Sequence, residues 1–217
     1  MIVGAAVLTW EAAKFDRLGW LDETLASLTE ADRLFVIDNG SAPETADAVR
    51  SLARKYGAGF STHNHPLHTC EHGTNLRAAV LEAAGVDVSV ISDDDILWRP
   101  GWRDALDAWW SEAPDNLVIT GCHLEPDYPW NEQYGHLTLA GRIGKLRAST
   151  GSGTWSFRKW RDIGPMHENV QGWGDVPACK RLRIIGRDIA QIDLAEHRGD
   201  HASTWGNRSY LDATGPA

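Results

Sequence analysis

The sequence predicts an α/β fold with a doubly wound, mostly parallel sheet that carries helices on both faces. Short apolar runs alternate with segments of helical periodicity from residue 1 to about residue 120. The runs are continuous rather than alternating, which is typical of strands that are covered on both faces. Polar residues directly follow several of these runs, at the edge of the sheet where such folds bind ligands.

Four short apolar runs and the short segment 59–62 predict five strands. The predicted strands are residues 1–9, 33–37, 59–62, 86–92 and 116–120. The first ends at Thr9, the second is followed by Asp38, and the fourth is followed by Asp93, Asp94 and Asp95. Because the carboxyl ends of parallel strands meet at one edge of the sheet, we expect these polar residues to lie together.

Four helices are predicted between the strands. They cover residues 20–28, 41–57, 75–84 and 100–110. Leucines at helical spacing predict the first helix. Ser41 is the expected N-cap of the second helix, and Gly57 is its stop signal. Gly85 ends the third helix, and Pro100 with Gly101 opens the fourth.

Composition favours one globular domain over the 217 residues, because 42% of the residues are hydrophobic and 24% are charged. These values exclude a disordered or collagen-like chain. The longest apolar run, residues 1–8, is too short to span a bilayer and has no basic flank, so we expect neither a membrane span nor a secretory signal. Three widely spaced cysteines give no disulfide framework and favour the cytoplasm.

The net charge of −9 is unevenly distributed. Residues 1–112 hold 9 basic and 18 acidic residues, whereas residues 142–187 hold 10 basic and 3 acidic residues. Overall acidity argues against a general nucleic-acid coat. The basic stretch could meet a phosphorylated or polyanionic partner, or it could be scattered solvated charge.

Eleven tryptophans are present, and their neighbours divide them into two groups. Four share one short stretch and are expected in the core: Trp98, Trp102, Trp109 and Trp110. Four others stand beside small or turn-forming residues: Trp130, Trp155, Trp173 and Trp205. Indoles in loops suit sugar rings or bases, although core filling is an equal alternative for each of them.

The acidic triplet Asp93, Asp94 and Asp95 is the sharpest chemical feature of the sequence. Adjacent carboxylates repel one another unless a cation or a hydrogen-bond network is present. A divalent ion is a natural partner and would also neutralise a diphosphate. Side chains alternate along an extended backbone, so Asp93 and Asp95 could serve one site. The alternative is a solvated acidic loop or a helix N-cap.

Other motifs narrow the choice. The first strand lacks G-x-G-x-x-G, and the chain contains no G-x-x-x-x-G-K-[ST], so neither a dinucleotide site nor a P-loop is supported. Five metal-ligand residue types also cluster within ten residues: His63, His65, His68, Cys70 and His72. Their spacing matches no structural zinc pattern, so a donor-side loop with incidental histidines is favoured over zinc.

Six segments in order resemble a GT-A-fold glycosyltransferase of the family 2 type. They are VIDNGS (36–41), HGTNLRAAVLEAAG (72–85), VISDDDI (90–96), PGW (100–102), GWGDVPACKRLR (172–183) and HRGDHAS (197–203). The resemblance covers about residues 3–203. It implies a single GT-A domain over residues 1–217, with a mostly parallel, doubly wound sheet and an acceptor-side α+β portion. In that domain, 1–112 bind nucleotide-sugar and metal, 113–205 bind the acceptor, and 206–217 form a tail.

On the donor side, the resemblance implies a nucleotide-diphospho-sugar, commonly a UDP-sugar, as substrate. Asp38 would contact the base and Asp93 the ribose or sugar. Asp95 would ligate Mn²⁺ or Mg²⁺. The resemblance also implies donor-site positions for Thr9, Asn75 and Asp94.

On the acceptor side, the resemblance implies that Asp175 is the general base, with His197 or His201 as a further contact to metal. Trp155, Trp173 and Gly174 would shape the acceptor and sugar site. Transfer would invert the anomeric centre by a single displacement, although Gly174 stands where family 2 commonly has an acid. A retaining mechanism therefore stays open.

The acceptor itself is less defined. The basic stretch suggests a phosphate-bearing acceptor, either a lipid-linked or nucleotide species or a hydroxylated base in DNA. The composition leaves a protein or small-molecule acceptor equally open. Two other functions stay open. A sugar nucleotidyltransferase would normally have a Gly-rich first turn, whereas this strand ends Leu8-Thr9-Trp10-Glu11. A non-catalytic sugar-binding module would be expected to lose Asp95 or Asp175.

Overall fold

A single ten-stranded sheet organises the protein in the computed structural model. The structure describes residues 1–63, 70–123, 132–150, 154–166 and 175–198. The strands are β1 (Val3–Thr9), β2 (Arg33–Asp38), β3 (Gly59–Thr62), β4 (Val88–Asp93), β5 (Ile96–Trp98), β6 (Leu117–His123), β7 (Gln133–Leu139), β8 (Arg142–Arg147), β9 (Trp155–Phe157) and β10 (Asp188–His197). The helices are α1 (Leu18–Ser27), α2 (Pro43–Lys55), α3 (Cys70–Ala83), α4 (Trp102–Glu112), α5 (Trp160–Ile163) and α6 (Asp175–Ile184).

The strand order is β3-β2-β1-β4-β9-β6-β10-β8-β7, and β5 pairs with β10. The first four strands of this order are parallel, as predicted. Beyond β4 the sheet is mixed, because β9 runs antiparallel between β4 and β6, β8 runs antiparallel to β10, and β7 runs antiparallel to β8. The predicted fold class is confirmed: the donor-side strands β1 to β4 are parallel, β6 pairs with β10 in parallel as well, and the antiparallel strands β7, β8 and β9 belong to the expected acceptor-side α+β portion.

The predicted elements of the first 120 residues are confirmed with two differences at helix starts, and the short strand β5 was not predicted. Helix α3 begins at Cys70, five residues before the predicted start. Helix α2 is not capped by Ser41: its N-cap is Ala42, whose amide donates to the Glu11 carboxylate at 2.8 Å. The Ser41 hydroxyl instead donates to Asp38.

Two hydrophobic layers cover the sheet. Side chains from α1, α2 and α4 form the larger layer, and side chains from α3, α5 and α6 form the other. The prediction of a tryptophan-rich core is confirmed, since all four indoles of the stretch 98–110 are buried. The Trp109 indole N–H donates to Thr120 at 3.0 Å, and that of Trp110 donates to Ser156 at 3.0 Å. Each buried indole N–H thus has the partner that burial requires.

Within the part of the chain that the structure describes, no helix is long and apolar enough to cross a membrane.

Candidate functional site

Strands β1, β2 and β4 bring their polar ends to one edge of the sheet. In the parallel register, Thr9 lies beside Asp38 and Leu8 lies beside Asp93. The acidic triplet begins at the last residue of β4 and continues into the turn before β5. The structure therefore brings Thr9, Asp38 and the triplet to the same edge, as the strand pattern predicted.

Asp94 is buried and paired. Its carboxylate accepts hydrogen bonds from the Thr9 hydroxyl at 2.7 Å and from the Arg17 guanidinium at 2.8 Å. Arg17 also donates to the carbonyl of Trp10 at 3.0 Å, which fixes the segment after β1 against the triplet. Burial raises the pKa of Asp94, and the charge of Arg17 opposes that shift.

Asp93 is paired with a second arginine, which sequence reasoning missed. The side chain of Asp93 is 39% exposed, whereas that of Arg77 on α3 is 1% exposed. One guanidinium nitrogen of Arg77 donates to Asp93 at 3.0 Å and to the carbonyl of Ser92 at 2.7 Å, and the other donates to Thr74 at 3.1 Å. The sequence showed the acidic run but not this pairing, because Arg77 lies sixteen residues before Asp93.

Asp95 is the carboxylate of the triplet without a hydrogen-bonded cation among the described residues. It is 4% exposed, and its Oδ1 has no hydrogen-bond partner there. Burial, followed by the charges of Asp94 and Asp93, raises the pKa of Asp95 to about 8. A buried carboxylate with a free oxygen and an elevated pKa fits a divalent cation, which would supply the missing positive charge.

His197 lies next to Asp95. Its Nδ1 is 3.8 Å from Asp95 Oδ2. The pairing of β5 with β10 sets this distance, because Ile96 and His197 are opposite each other, and the Arg198 amide donates to the Asp95 carbonyl at 2.8 Å. Carboxylate oxygen together with imidazole nitrogen is a donor set suited to Mn²⁺.

A second histidine, His123 at the end of β6, was also missed. It is buried, and its ring lies edge-on to that of His197 with the centroids 5.6 Å apart. Strands β6 and β10 are parallel neighbours, so their last residues meet at the same edge as the triplet. Only a correct pairing of β6 with β10 would have revealed this contact.

Asp38 is completely buried, and its carboxylate is engaged by the chain itself. One oxygen accepts hydrogen bonds from the Thr62 hydroxyl at 2.7 Å and the Ser41 amide at 3.2 Å, while the Ser41 hydroxyl donates to the other. These bonds hold the turn after β2 and tie it to β3. Contact between Asp38 and a nucleobase would require this turn to move.

The family assignment follows from a match along most of the chain. The family model described as "Glycosyl transferase family 2" matches residues 15–190. The chain belongs to glycosyl transferase family 2. No curated protein matches it.

Solved structures agree in fold with this family 2 chain. It is similar to *S. aureus* TarS 1–349, with a TM-score of 0.63 and 16% identity over 91% of this chain and 60% of that one. It is also similar to the mannosyltransferase PcManGT from Pyrobaculum calidifontis, with a TM-score of 0.61 and 16% identity. That match covers 100% of this chain and 65% of PcManGT. A third similar structure is glucosyl-3-phosphoglycerate synthase from Mycobacterium tuberculosis, with a TM-score of 0.57 and 15% identity. That match covers 98% of this chain and 77% of the synthase. The chain thus spans about 60% of the length of TarS 1–349.

Two further site predictions meet a different environment in this family 2 fold. The Asn75 amide side chain donates to the carbonyl of Met166 at 3.1 Å and accepts from its amide at 2.9 Å, so it ties α3 to the segment after α5. Trp155, predicted at the acceptor site, is 1% exposed in β9 and packs against Phe157 and Trp160. Because the Trp155 ring is buried against these aromatic neighbours, it offers no free face to a sugar.

The remaining predicted positions lie at or beyond the limits of the described residues. Helix α6 begins at Asp175, but the side chain of Asp175 is outside the described part, as are Trp173, Gly174 and His201. His65 and His68 of the histidine cluster are outside it too, together with Trp130 and Trp205. Among the described residues, no group of three or more His, Cys, Asp and Glu side chains could hold a metal ion. The zinc alternative stays untested.

Proposed function

We propose that the protein transfers a sugar from a nucleoside-diphosphate donor to a hydroxyl acceptor, with Asp95 holding a divalent cation. The observation that carries this proposal is the Asp95 carboxylate in the turn after β4. It is buried, has no hydrogen-bonded cation among the described residues, and lies 3.8 Å from His197. Membership of family 2 gives the reaction class.

Asp95 and His197 are the residues that would hold Mn²⁺ or Mg²⁺. A divalent ion there would stabilise the diphosphate leaving group as negative charge builds on it. Two of the similar structures contain Mn²⁺, one with GDP-Man and one with UDP and glucosyl-3-phosphoglycerate. Arg17 and Arg77 neutralise the other two carboxylates of the triplet, which leaves Asp95 for the cation.

The donor is proposed to be a UDP-sugar. Another TarS structure is a complex with UDP, and the synthase was also solved with UDP. Asp93, which is the most exposed carboxylate of the triplet, would contact the ribose or the sugar, and Arg77 would keep it ionised and oriented. Asp38 would organise the base-binding turn through Ser41 and Thr62.

On the acceptor side, Asp175 would accept the proton of the attacking hydroxyl. Its place at the start of α6 is consistent with this role, because α6 follows the predicted acceptor segment. We propose a single inverting displacement, which needs no enzyme nucleophile, with retention as the alternative. Residues 1–112 would form the donor half and residues 113–205 the acceptor half.

A phosphate-bearing acceptor is favoured over a nucleic acid. Exposed cations of the basic stretch 142–187 include Arg142, Lys159 and Arg161. The mycobacterial synthase was solved with phosphoglyceric acid, and none of these similar structures is described with a nucleic acid. A small hydroxylated phosphate compound is therefore the first acceptor class to test.

Transfer is best tested by nucleotide release from UDP- and GDP-sugars in the presence of Mn²⁺, with and without phosphorylated hydroxy acids. We expect acceptor-dependent release that EDTA abolishes. Asp175→Asn should stop transfer and spare donor binding, whereas Asp162→Asn, a nearby matched carboxamide change, should leave both intact. Unchanged turnover in Asp175→Asn would remove Asp175 as the base, and a lack of release with every donor would overturn the proposed reaction.

A further inference from the structure

The C-terminal end of α6 exposes two adjacent aliphatic side chains. Ile184 is 77% exposed and Ile185 is 63% exposed. A single exposed isoleucine is ordinary on a protein surface, but two neighbouring ones at the end of a helix form an apolar tip. The turn closes directly after them at Gly186, which has a φ of +74° and allows the chain to reverse into β10.

Basic residues surround this apolar tip. The segment from Lys180 to Arg187 contains four cations and no acid. Lys180, Arg181 and Arg183 are all exposed, and the Arg181 guanidinium also donates to the carbonyl of Ile163. Lys180 precedes Ile184 by four residues, so the two side chains share one face of the helix.

An aromatic side chain extends the same surface. The Arg183 guanidinium lies 4.2 Å from the centroid of the Tyr134 ring, and Tyr134 on β7 is 40% exposed. The Tyr134 hydroxyl donates to Asp188 at 3.1 Å, which fixes the ring beside the turn. The Ile184 patch is defined here as Tyr134, Lys180, Arg183, Ile184, Ile185 and Arg187.

We propose that the Ile184 patch docks the protein on a bilayer surface that contains anionic lipids. Aliphatic and aromatic side chains ringed by Lys and Arg match the two components of such a surface, the acyl boundary and the anionic headgroups. The charge distribution favours one orientation, because the whole chain carries −9 and its acidic half would be repelled by the same lipids. An acidic protein partner could pair with the cations, but acidity alone would not provide a pocket for the two isoleucine side chains.

The patch lies at the edge of the sheet opposite the candidate donor site. It adjoins Asp188, the first residue of β10, whereas His197 is the last residue of that strand. Ten residues of strand separate the two ends by about 30 Å. Docking therefore leaves the donor site facing away from the bilayer, so lipid binding needs neither nucleotide nor metal and its failure would not touch the proposed reaction.

Co-sedimentation with vesicles tests the proposal directly. The full chain would be mixed with vesicles of phosphatidylcholine alone or of phosphatidylcholine with phosphatidylglycerol, at low and high salt. We expect binding to the anionic vesicles only, weakened by salt because the attraction is screened. The double change Ile184→Ser and Ile185→Ser should lower the partition coefficient about tenfold, and Lys180→Glu should lower it several-fold.

Matched controls separate docking from general charge and from misfolding. Ile2→Ser removes another exposed isoleucine, and Arg54→Glu reverses another exposed cation on α2. Both should bind vesicles as the wild type does, and all variants should melt at the wild-type temperature. Equal binding by the patch variants and the wild type would overturn the proposal. So would a loss of self-association in the isoleucine variant without any vesicle binding, because the patch would then join two copies of the chain.

Discussion

The three adjacent aspartates of the triplet have three different environments. Arg77 pairs with Asp93, and Arg17 with Thr9 pairs with Asp94, but Asp95 has no hydrogen-bonded cation among the described residues. The sequence predicted a charge cluster that needs a cation. It could not predict which carboxylate would remain unpaired, because Arg17 and Arg77 reach the triplet through tertiary contacts that no local spacing reveals.

The elevated pKa of Asp95 predicts a pH dependence of stability in the metal-free protein. The folded state keeps a proton up to about pH 8, whereas the unfolded carboxyl loses it near its ordinary value of 3.8. The free energy of unfolding therefore falls as pH rises from about 4 to about 8. Asp95→Asn stays neutral, so its stability advantage over the wild type should grow by on the order of 2 kcal/mol across this range.

Urea denaturation in EDTA at several pH values measures this change. The control is Asp104→Asn on α4, which changes an exposed carboxylate far from the site and should keep the wild-type slope. Parallel pH profiles for wild type and Asp95→Asn would show that Asp95 titrates normally in the folded protein.

Arg77 predicts a large stability effect. Arg77→Gln removes a buried cation and leaves the Asp93 carboxylate, the Ser92 carbonyl and the Thr74 hydroxyl with fewer partners. We expect a loss of about 2–4 kcal/mol, because breaking a buried pair costs more than the pair contributes. Chemical denaturation measures the free energy of unfolding of this variant. The control is Arg54→Gln, a change of an exposed side chain on α2 that should cost at most about 0.5 kcal/mol. Similar losses in both variants would contradict a structural role for Arg77.

Individual elements differ in how well the sequence predicts them. The strands β1, β2, β4 and β6 were predicted because each contains a short apolar run, which is almost wholly buried in β1, β4 and β6 and half-buried to buried in β2. Strand β9 was not, because its three residues carry no periodicity and their strand conformation comes from pairing with β4 and β6. The β7–β8 hairpin was also missed, since β7 alternates between exposed and half-buried residues rather than forming an apolar run.

Helix α2 carries a cap that the local sequence does not indicate. The expected cap, Ser41, binds Asp38, while Glu11 from the segment after β1 accepts from the Ala42 amide at 2.8 Å. Glu11→Ala should lower stability by about 1 kcal/mol, because the helix loses both an acceptor and a negative charge at its N-terminus. Thermal denaturation measures the loss in Glu11→Ala. The control is Glu44→Ala, which removes only an exposed charge from the first turn of α2. An equal shift in the two melting temperatures would exclude Glu11 as the cap.

At the scale of the whole molecule, the sheet order explains the position of the site. Strands β1, β2 and β4 bring Thr9, Asp38 and the triplet together, and the parallel pairing of β6 with β10 adds His123 and His197. The first group was predictable, because consecutive strands of a doubly wound sheet end at one edge. The histidine pair was not, since β10 was not predicted and its neighbours are distant in sequence.

The central claim is that Asp95 holds a divalent cation that is needed to bind the diphosphate of the donor. The most direct test is calorimetric titration of UDP into the protein with and without Mn²⁺, for the wild type, Asp95→Ala and the control Asp104→Ala. We expect Mn²⁺-dependent UDP binding in the wild type and the control. In Asp95→Ala, UDP binding should be at least about a hundredfold weaker, because a buried charge partner of the cation is removed. UDP binding that is equally tight without Mn²⁺, or that survives Asp95→Ala unchanged, would contradict it.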